Sequence, residues 1–183
     1  MKTYFFIFSK TDLLLQRLPD GKYTIPCTEE TPVKTHAWTH IMEVSPMENG
    51  TLVKTMMLED PQHVEIIDPE LSASGFDFIG LRASFYHLST ELYLKACKCQ
   101  ELLYWDHNTQ FCGVCGAPMK MHTIISKRCT QCGKEVWPQL ATAIIVLIHR
   151  GDEVLLVHAK NFKGDFYGLV AGFVETGETL EQA

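Results

Sequence analysis

"FCGVCGAPMKMHTIISKRCTQCGKEVWP", Phe111 to Pro138, carries four of the chain's seven cysteines in two C-x2-C pairs, with thirteen residues between the pairs. Two residues between cysteines let both thiolates of a tight turn reach one ion, and two such knuckles complete a tetrahedral S4 site. Gly116 and Gly133 follow the second cysteine of each pair, where the turn calls for a left-handed or closely approached backbone. The stretch between the knuckles is long enough for a hairpin. Four thiolate ligands (Cys112, Cys115, Cys129 and Cys132) leave no open position for water, so the expected ion is one structural Zn2+ per chain. Chance pairing and a redox C-x-x-C are the competing readings. A segment this short cannot bury enough core to fold unaided, which gives the ion an energetic role. Cys27 stands alone, and Cys97 and Cys99 point to different faces of an expected helix; all three read as packing thiols.

Upstream, the first hundred residues read as an α+β unit. "TYFFIF" and "DLLLQRL" are candidate strands, and "PDGK" (19–22) is a turn leading into "YTI". "HAWTHIMEV" (36–44) and "TLVKTMML" (51–58) read as two further strands, followed by "VEII" and "FDFIGL". His36 and His40 lie four apart within the first of these and read as ordinary strand residues. From Arg82 to Asp106 the period changes: Phe85, Leu88, Leu92, Ala96, Cys99 and Leu103 recur at steps of three and four. That pattern is one helical face, or two helices broken near Ser89, a candidate N-cap.

Downstream, "LATAIIVLIHR" and "DEVLLVHAK" are strong β runs around the turn His149-Arg150-Gly151-Asp152, and "NFKGDFYG" (161–168) reads as a loop. The expected organisation is an N-terminal domain over 1–108, a zinc ribbon over 109–138 and a further β-rich domain over 139–183. The chain has 183 residues, 46% apolar and 21% charged, the composition of a soluble globular protein. No apolar run approaches a bilayer span, and "YFFIF" reads as a strand and not a signal peptide, so the expected location is cytoplasmic, away from membranes. A formal charge of −6 argues against a protein wrapped in nucleic acid. The ribbon alone carries Lys120, Lys127, Arg128 and Lys134 against Glu135, a local +3 that is either a solvated surface or a guide for RNA.

"GFVETGE" (172–178) fits the opening of the Nudix box, G-x5-E-x7-R-E-U-x-E-E-x-G-U, with Gly172 as its first glycine and Glu178 as its first glutamate. The wider "LVAGFVETGETLEQA" follows a zinc ribbon ending "WPQLA", and "GLRASFYHLSTELYLKACKCQELLYWDHNTQFCGVCG" precedes it. Together, over Ile79 to Ala183, these stretches resemble the NADH pyrophosphatase (NAD-capped RNA hydrolase) family of Nudix enzymes. The resemblance implies a final domain of Nudix α/β/α type, of which 139–183 would supply the first strands. It also implies hydrolysis of the diphosphate of NAD(H) to NMN(H) and AMP, or removal of an NAD cap from RNA, with Mg2+ or Mn2+ as catalytic metal and a homodimer as the working form. Carried over by position, Ala171 would complete the metal shell through its backbone carbonyl and Phe173 would stack on a base. Trp137 would contact substrate where the family has a tyrosine, losing a phenolic hydroxyl, and Arg82 would lie near the substrate.

Each assignment has a structural competitor. Phe173 fits a core position, Trp137 a packing role beside the ribbon, Arg82 a local salt bridge, and Glu175 and Glu178 a solvated loop. The carboxylates of R-E-U-x-E-E, which a helix would gather at i and i+4 to hold the metals, fall past Ala183. Thr179 is a candidate cap for that helix, and the fragment is expected to be inactive without it. Two other functions stay open at this stage: a non-catalytic zinc ribbon that binds nucleic acid or protein, and a Nudix hydrolase for another nucleoside diphosphate derivative.

Overall fold

A computed structural model describes residues 2–59, 63–160 and 164–183; Asn161, Phe162 and Lys163 of the expected loop lie outside the described residues. The chain forms two compact units, Met1–Pro138 and Gln139–Ala183. Its architecture is α+β, with mixed and antiparallel sheets and few helices.

The first unit is organised by β1 (Thr3–Ser9), which pairs in parallel with β6 (Leu52–Met57) and antiparallel with β2 (Asp12–Arg17). β1 and β2 meet only near their turn, at Phe8↔Leu13 and Ser9↔Asp12. Beyond that point β4 (Cys27–Thr28) takes over the edge of β1, and β3 (Tyr23–Thr24) that of β2. β5 (Ile41–Val44) extends the sheet beyond β6, and β7 (Phe76–Gly80) runs along β2 for five residues. "YFFIF" lacks polar alternation because both faces of its strand are covered. Phe6 and Phe8 share a core with Leu13, Leu15 and Val53. Phe5 and Ile7 point the other way, into a core with Leu14, Met56, Val33 and Leu71.

The helix α3 (Thr90–Asn108) covers the first face through Ala96, Cys99, Leu102 and Leu103. Ser89 caps it, its hydroxyl accepting from Leu92 N–H at 3.3 Å. Burial pushes the Cys99 thiol up to about 12, as befits a packing group. The expected helical face holds from Leu88 onward but not at Phe85. The short α2 (Leu81–Ser84) ends before Phe85, which is half-exposed and meets Tyr86 and Tyr93 edge-on.

Two other local expectations change, and one short helix is added to them. His36–His40 is a turn and not strand: Thr39 N–H donates to the His36 carbonyl, and His36 N–H donates to the Thr39 hydroxyl. Strand begins only at Ile41. "VEII" contributes a single bridge, Ile66 to Val33. The loop before Phe76 contains α1 (Pro69–Ser74), capped by Asp68, whose carboxylate accepts from Leu71 N–H at 2.8 Å. Six residues are too few to show a helical period, but Asp-Pro-Glu is an N-terminal signal.

The ribbon strands β8 (Met119–Thr123), β9 (Ser126–Cys129) and β10 (Glu135–Val136) form an antiparallel sheet in the order β10-β9-β8. Lys127, only 2% exposed, ties it to the end of α3. Its ammonium lies 2.7 Å from the Asp106 carboxylate and donates to the backbone carbonyls of Asp106 (2.7 Å) and Thr109 (3.2 Å). All three of its donors are used, at a helix end where the dipole favours a cation. It also sits 5.5 Å from the Trp105 ring centroid.

In the second unit β11 (Ala143–Val146) pairs with β14 (Val170–Phe173), and β12 (His149–Arg150) with β13 (Glu153–Val154). Ile145, Leu147 and Ile148 of "AIIVLI" are exposed. No helix among the described residues is long and apolar enough to cross a membrane.

Two outcomes follow from the first unit. Lys127→Ala leaves Asp106 with His40 alone and is expected to lower unfolding stability by about 3 kcal/mol, measured by urea denaturation. On the opposite edge, Arg17 grips Asp77 through two hydrogen bonds of 2.6 Å and Tyr23 OH adds a third at 2.7 Å. Arg17 first, then Tyr23, hold the Asp77 pKa below its ordinary 3.8. A depressed carboxylate contributes stability above its unfolded pKa and loses it as pH falls through the folded value. The stability gap between wild type and Asp77→Asn should therefore shrink as pH falls below the ordinary carboxylate value of 3.8, as read from urea midpoints at successively lower pH.

Candidate functional site

Each cysteine pair is set in a knuckle built by backbone hydrogen bonds. In the first, Gly116 N–H donates to the Cys112 carbonyl (2.9 Å), Cys112 N–H to the Ala117 carbonyl (2.8 Å), and Val114 N–H to Cys112 Sγ at 3.4 Å. In the second, the N–H groups of Gln131 and Cys132 both point at Cys129 Sγ, each at 3.4 Å. Gly116 and Gly133 have φ of +74° and +73°, the left-handed backbone for which glycine is suited. The four Sγ atoms lie within 4.8 Å of one another, with Cys112 to Cys132 at 3.6 Å and Cys115 to Cys129 at 3.4 Å. Zinc with Zn–S bonds of about 2.3 Å gives a tetrahedron with edges of about 3.8 Å, so the spacing fits that ion.

The electrostatics point the same way. Amide N–H groups of Cys132 and Gln131 bring the Cys129 thiol down to about 6, and those of Cys115 and Val114 lower Cys112. At Cys132 the Lys134 amide also favours the thiolate. The sulfurs of Cys129, Cys115 and Cys112 outweigh it and push the thiol up to about 12. The knuckles thus favour thiolates that cannot all ionise side by side; a bound cation is what lets them do so.

The ribbon's basic residues are largely committed. Lys127 is buried, and Arg128 pairs with Glu135 at 3.2 Å. Only Lys120 and Lys134 remain as exposed lysines of the +3 counted in the sequence.

The remaining candidates lie apart from the cysteines in the chain. Arg82 sits on α2 and lines a surface recess of about 440 Å³ with Phe85, Tyr86 and Tyr93. Sequence periodicity assigned Phe85 to the core and so missed this aromatic surround. Trp137 follows β10 and is half-exposed. Ala171, Gly172 and Phe173 lie together on β14, opposite Ile145, Ile144 and Ala143 of β11, and Phe173 is 73% exposed. The acidic turn comes next, with Gly177 at φ +96° and the Glu178 carboxylate accepting from Glu175 N–H at 2.9 Å. One turn further, Gln182 Oε1 accepts from Thr179 N–H at 2.9 Å, within a turn and not a helix.

A family model described as the NADH pyrophosphatase-like rudimentary NUDIX domain matches residues 2–105. Another, described as the NADH pyrophosphatase zinc ribbon domain, matches residues 107–136 and includes all four cysteines of the cluster. Among curated relatives, a protein named NAD-capped RNA hydrolase NudC from Pseudomonas aeruginosa is 34% identical over 125 residues, 67% of this chain and 45% of that protein. The protein of the same name from Deinococcus radiodurans is 40% identical over 115 residues, 60% of this chain and 41% of its own. That from Pectobacterium carotovorum is 42% identical over 83 residues, 45% of this chain and 32% of its own. The matched part of the chain spans under half the length of each of these relatives. With one family model covering more than half of its residues and the zinc ribbon directly after it, the chain belongs to the NADH pyrophosphatase family of Nudix proteins.

Proposed function

We propose that the intact protein hydrolyses the diphosphate of NAD(H) to NMN(H) and AMP, and cleaves the same bond in an NAD cap on RNA. The observation that carries this reading is an order of parts. A NUDIX-like domain and a four-cysteine ribbon precede a strand and acidic turn bearing Gly172 and Glu178 in G-x5-E spacing. The names of the relatives support the same chemistry. Mg2+ or Mn2+, held by the box carboxylates and the Ala171 carbonyl, would neutralise the diphosphate and activate the attacking water. Phe173, Trp137 and Arg82 are the proposed substrate contacts: an exposed ring on a strand, a half-exposed indole and a cation in an aromatic recess. The working form proposed is a homodimer with one structural Zn2+ per chain.

The main rival, a zinc ribbon acting only as a nucleic-acid-binding module, is weakened by the commitment of Lys127 and Arg128 to contacts within the fold. Residues 1–183 include the opening of the box but no R-E-U-x-E-E. We therefore propose that these residues alone bind zinc and do not turn over NADH.

Two measurements test this. Metal analysis of protein purified without chelator should find about one Zn2+ per chain, and Cys112→Ser with Cys129→Ser should abolish it; metal-free wild-type protein would refute the structural zinc. Residues 1–183 should release no AMP from NADH in Mn2+, whereas a chain extended through the box carboxylates should do so. Turnover by the shorter chain above a mock purification would overturn the assignment of catalysis to those carboxylates.

A further inference from the structure

Within the first unit, away from the cysteines, lies a cavity of about 720 Å³, within the range of small-molecule sites. It opens at the carboxyl ends of the parallel strands β1 and β6, bounded by the turn after β1, the segment after β6, the 34–40 loop and the second half of α3. The carboxyl ends of parallel strands are where open α/β sheets characteristically receive ligands.

Its chemistry narrows the occupant. The Trp38 indole lies flat on His36, with centroids 4.5 Å apart and planes 6° apart, and yet is 69% exposed. Tyr104 adds a second exposed ring from α3. Gln100 donates its amide N–H to the Lys10 carbonyl at 3.0 Å, which ties the turn after β1 to α3. Among the charges, Lys34 pairs with Glu65, and Asp106 is engaged by Lys127 and His40. Lys10, exposed on the β1–β2 turn, and Glu59 after β6 are the remaining charged side chains on the wall among the described residues.

We propose that this cavity binds a nucleotide: the base stacks at Trp38, and the phosphate is held at Lys10. Stacking on an exposed indole is tolerant of base identity, and a nearby lysine selects for phosphate. The same chemistry is offered by a free mononucleotide and by one residue of a single-stranded RNA. The inference rests on the cavity alone and does not require the protein to hydrolyse NAD(H).

The test titrates the full chain with AMP, with adenosine and with a single-stranded RNA of about five nucleotides, following tryptophan fluorescence and calorimetric heat. AMP or the RNA should bind saturably, and adenosine should bind more weakly than AMP. Trp38→Ala should weaken binding by about ten-fold. Lys10→Asn, which keeps a residue tolerant of the φ of +55° at that position, should erase the preference for AMP over adenosine. Tighter binding of the RNA than of AMP assigns the site to an RNA chain, and equal or weaker binding assigns it to a free nucleotide. Absence of saturable binding up to millimolar probe, or equal affinity in a folded Trp38→Ala protein, would overturn the proposal.

Discussion

Four sulfur atoms drawn to within 4.8 Å of one another cannot all carry charge unless a cation sits among them, and much of the first unit is arranged around that constraint. The ribbon's own apolar cluster is small: Cys112, Met119 and Cys129, with Ala117 and Val136 at its edge. Two of those three buried residues are themselves ligand positions. A segment of this size has too little core to stand by itself, so ion binding and folding are one event there. The family to which the chain belongs carries its zinc ribbon at this place.

The consequence travels along β9. Lys127 and Cys129 are two residues apart on that strand and share a face; both are buried while Arg128 between them is exposed. The strand that presents a sulfur to the metal therefore also presents an ammonium to the last turn of α3. Val136 reinforces the link by packing against both the ribbon cluster and the main sheet core. Asp106 then connects a third element: one carboxylate oxygen meets Lys127 and the other meets His40, on the loop that walls the nucleotide-sized cavity. Ribbon, helix end and cavity loop thus converge on a single carboxylate.

What was legible in the sequence follows the range of the forces involved. Cysteine spacing is dictated by coordination geometry within four residues, so the knuckles and their glycines could be read directly. Ser89 as a cap and "YFFIF" as a strand were legible for the same local reason, although the burial of both faces of β1 depends on partners far along the chain. The failures were non-local or too short. Lys127 looks like a surface charge because its acceptors are about twenty residues away, at the end of a helix. His36–His40 has the composition of a strand, yet the Thr39 hydroxyl and the ring stack of His36 on Trp38 fold it into a turn. The helix break that leaves Phe85 beside Tyr86 and Tyr93 was visible as Ser89, but its effect on the preceding aromatic was not.

The strand bearing Ala171 and Gly172 shows how far local structure can prepare a site. Its pairing with β11 is in register over four residues, and the bond from Val174 N–H to the Thr142 carbonyl carries it one step further. The backbone at Ala171 is therefore held by a ladder that needs no ion. A carbonyl fixed in this way suits the metal contact proposed for it, since a ligand that does not have to be ordered on binding costs less to recruit. The turn that follows behaves differently. Glu178 is folded back onto the Glu175 amide through one carboxylate oxygen. A carboxylate has two oxygens and several lone pairs, so a cation can be met without breaking that hydrogen bond. The strand is thus held by its ladder and the acidic turn by a single side-chain bond, and the turn is the part with freedom to adjust.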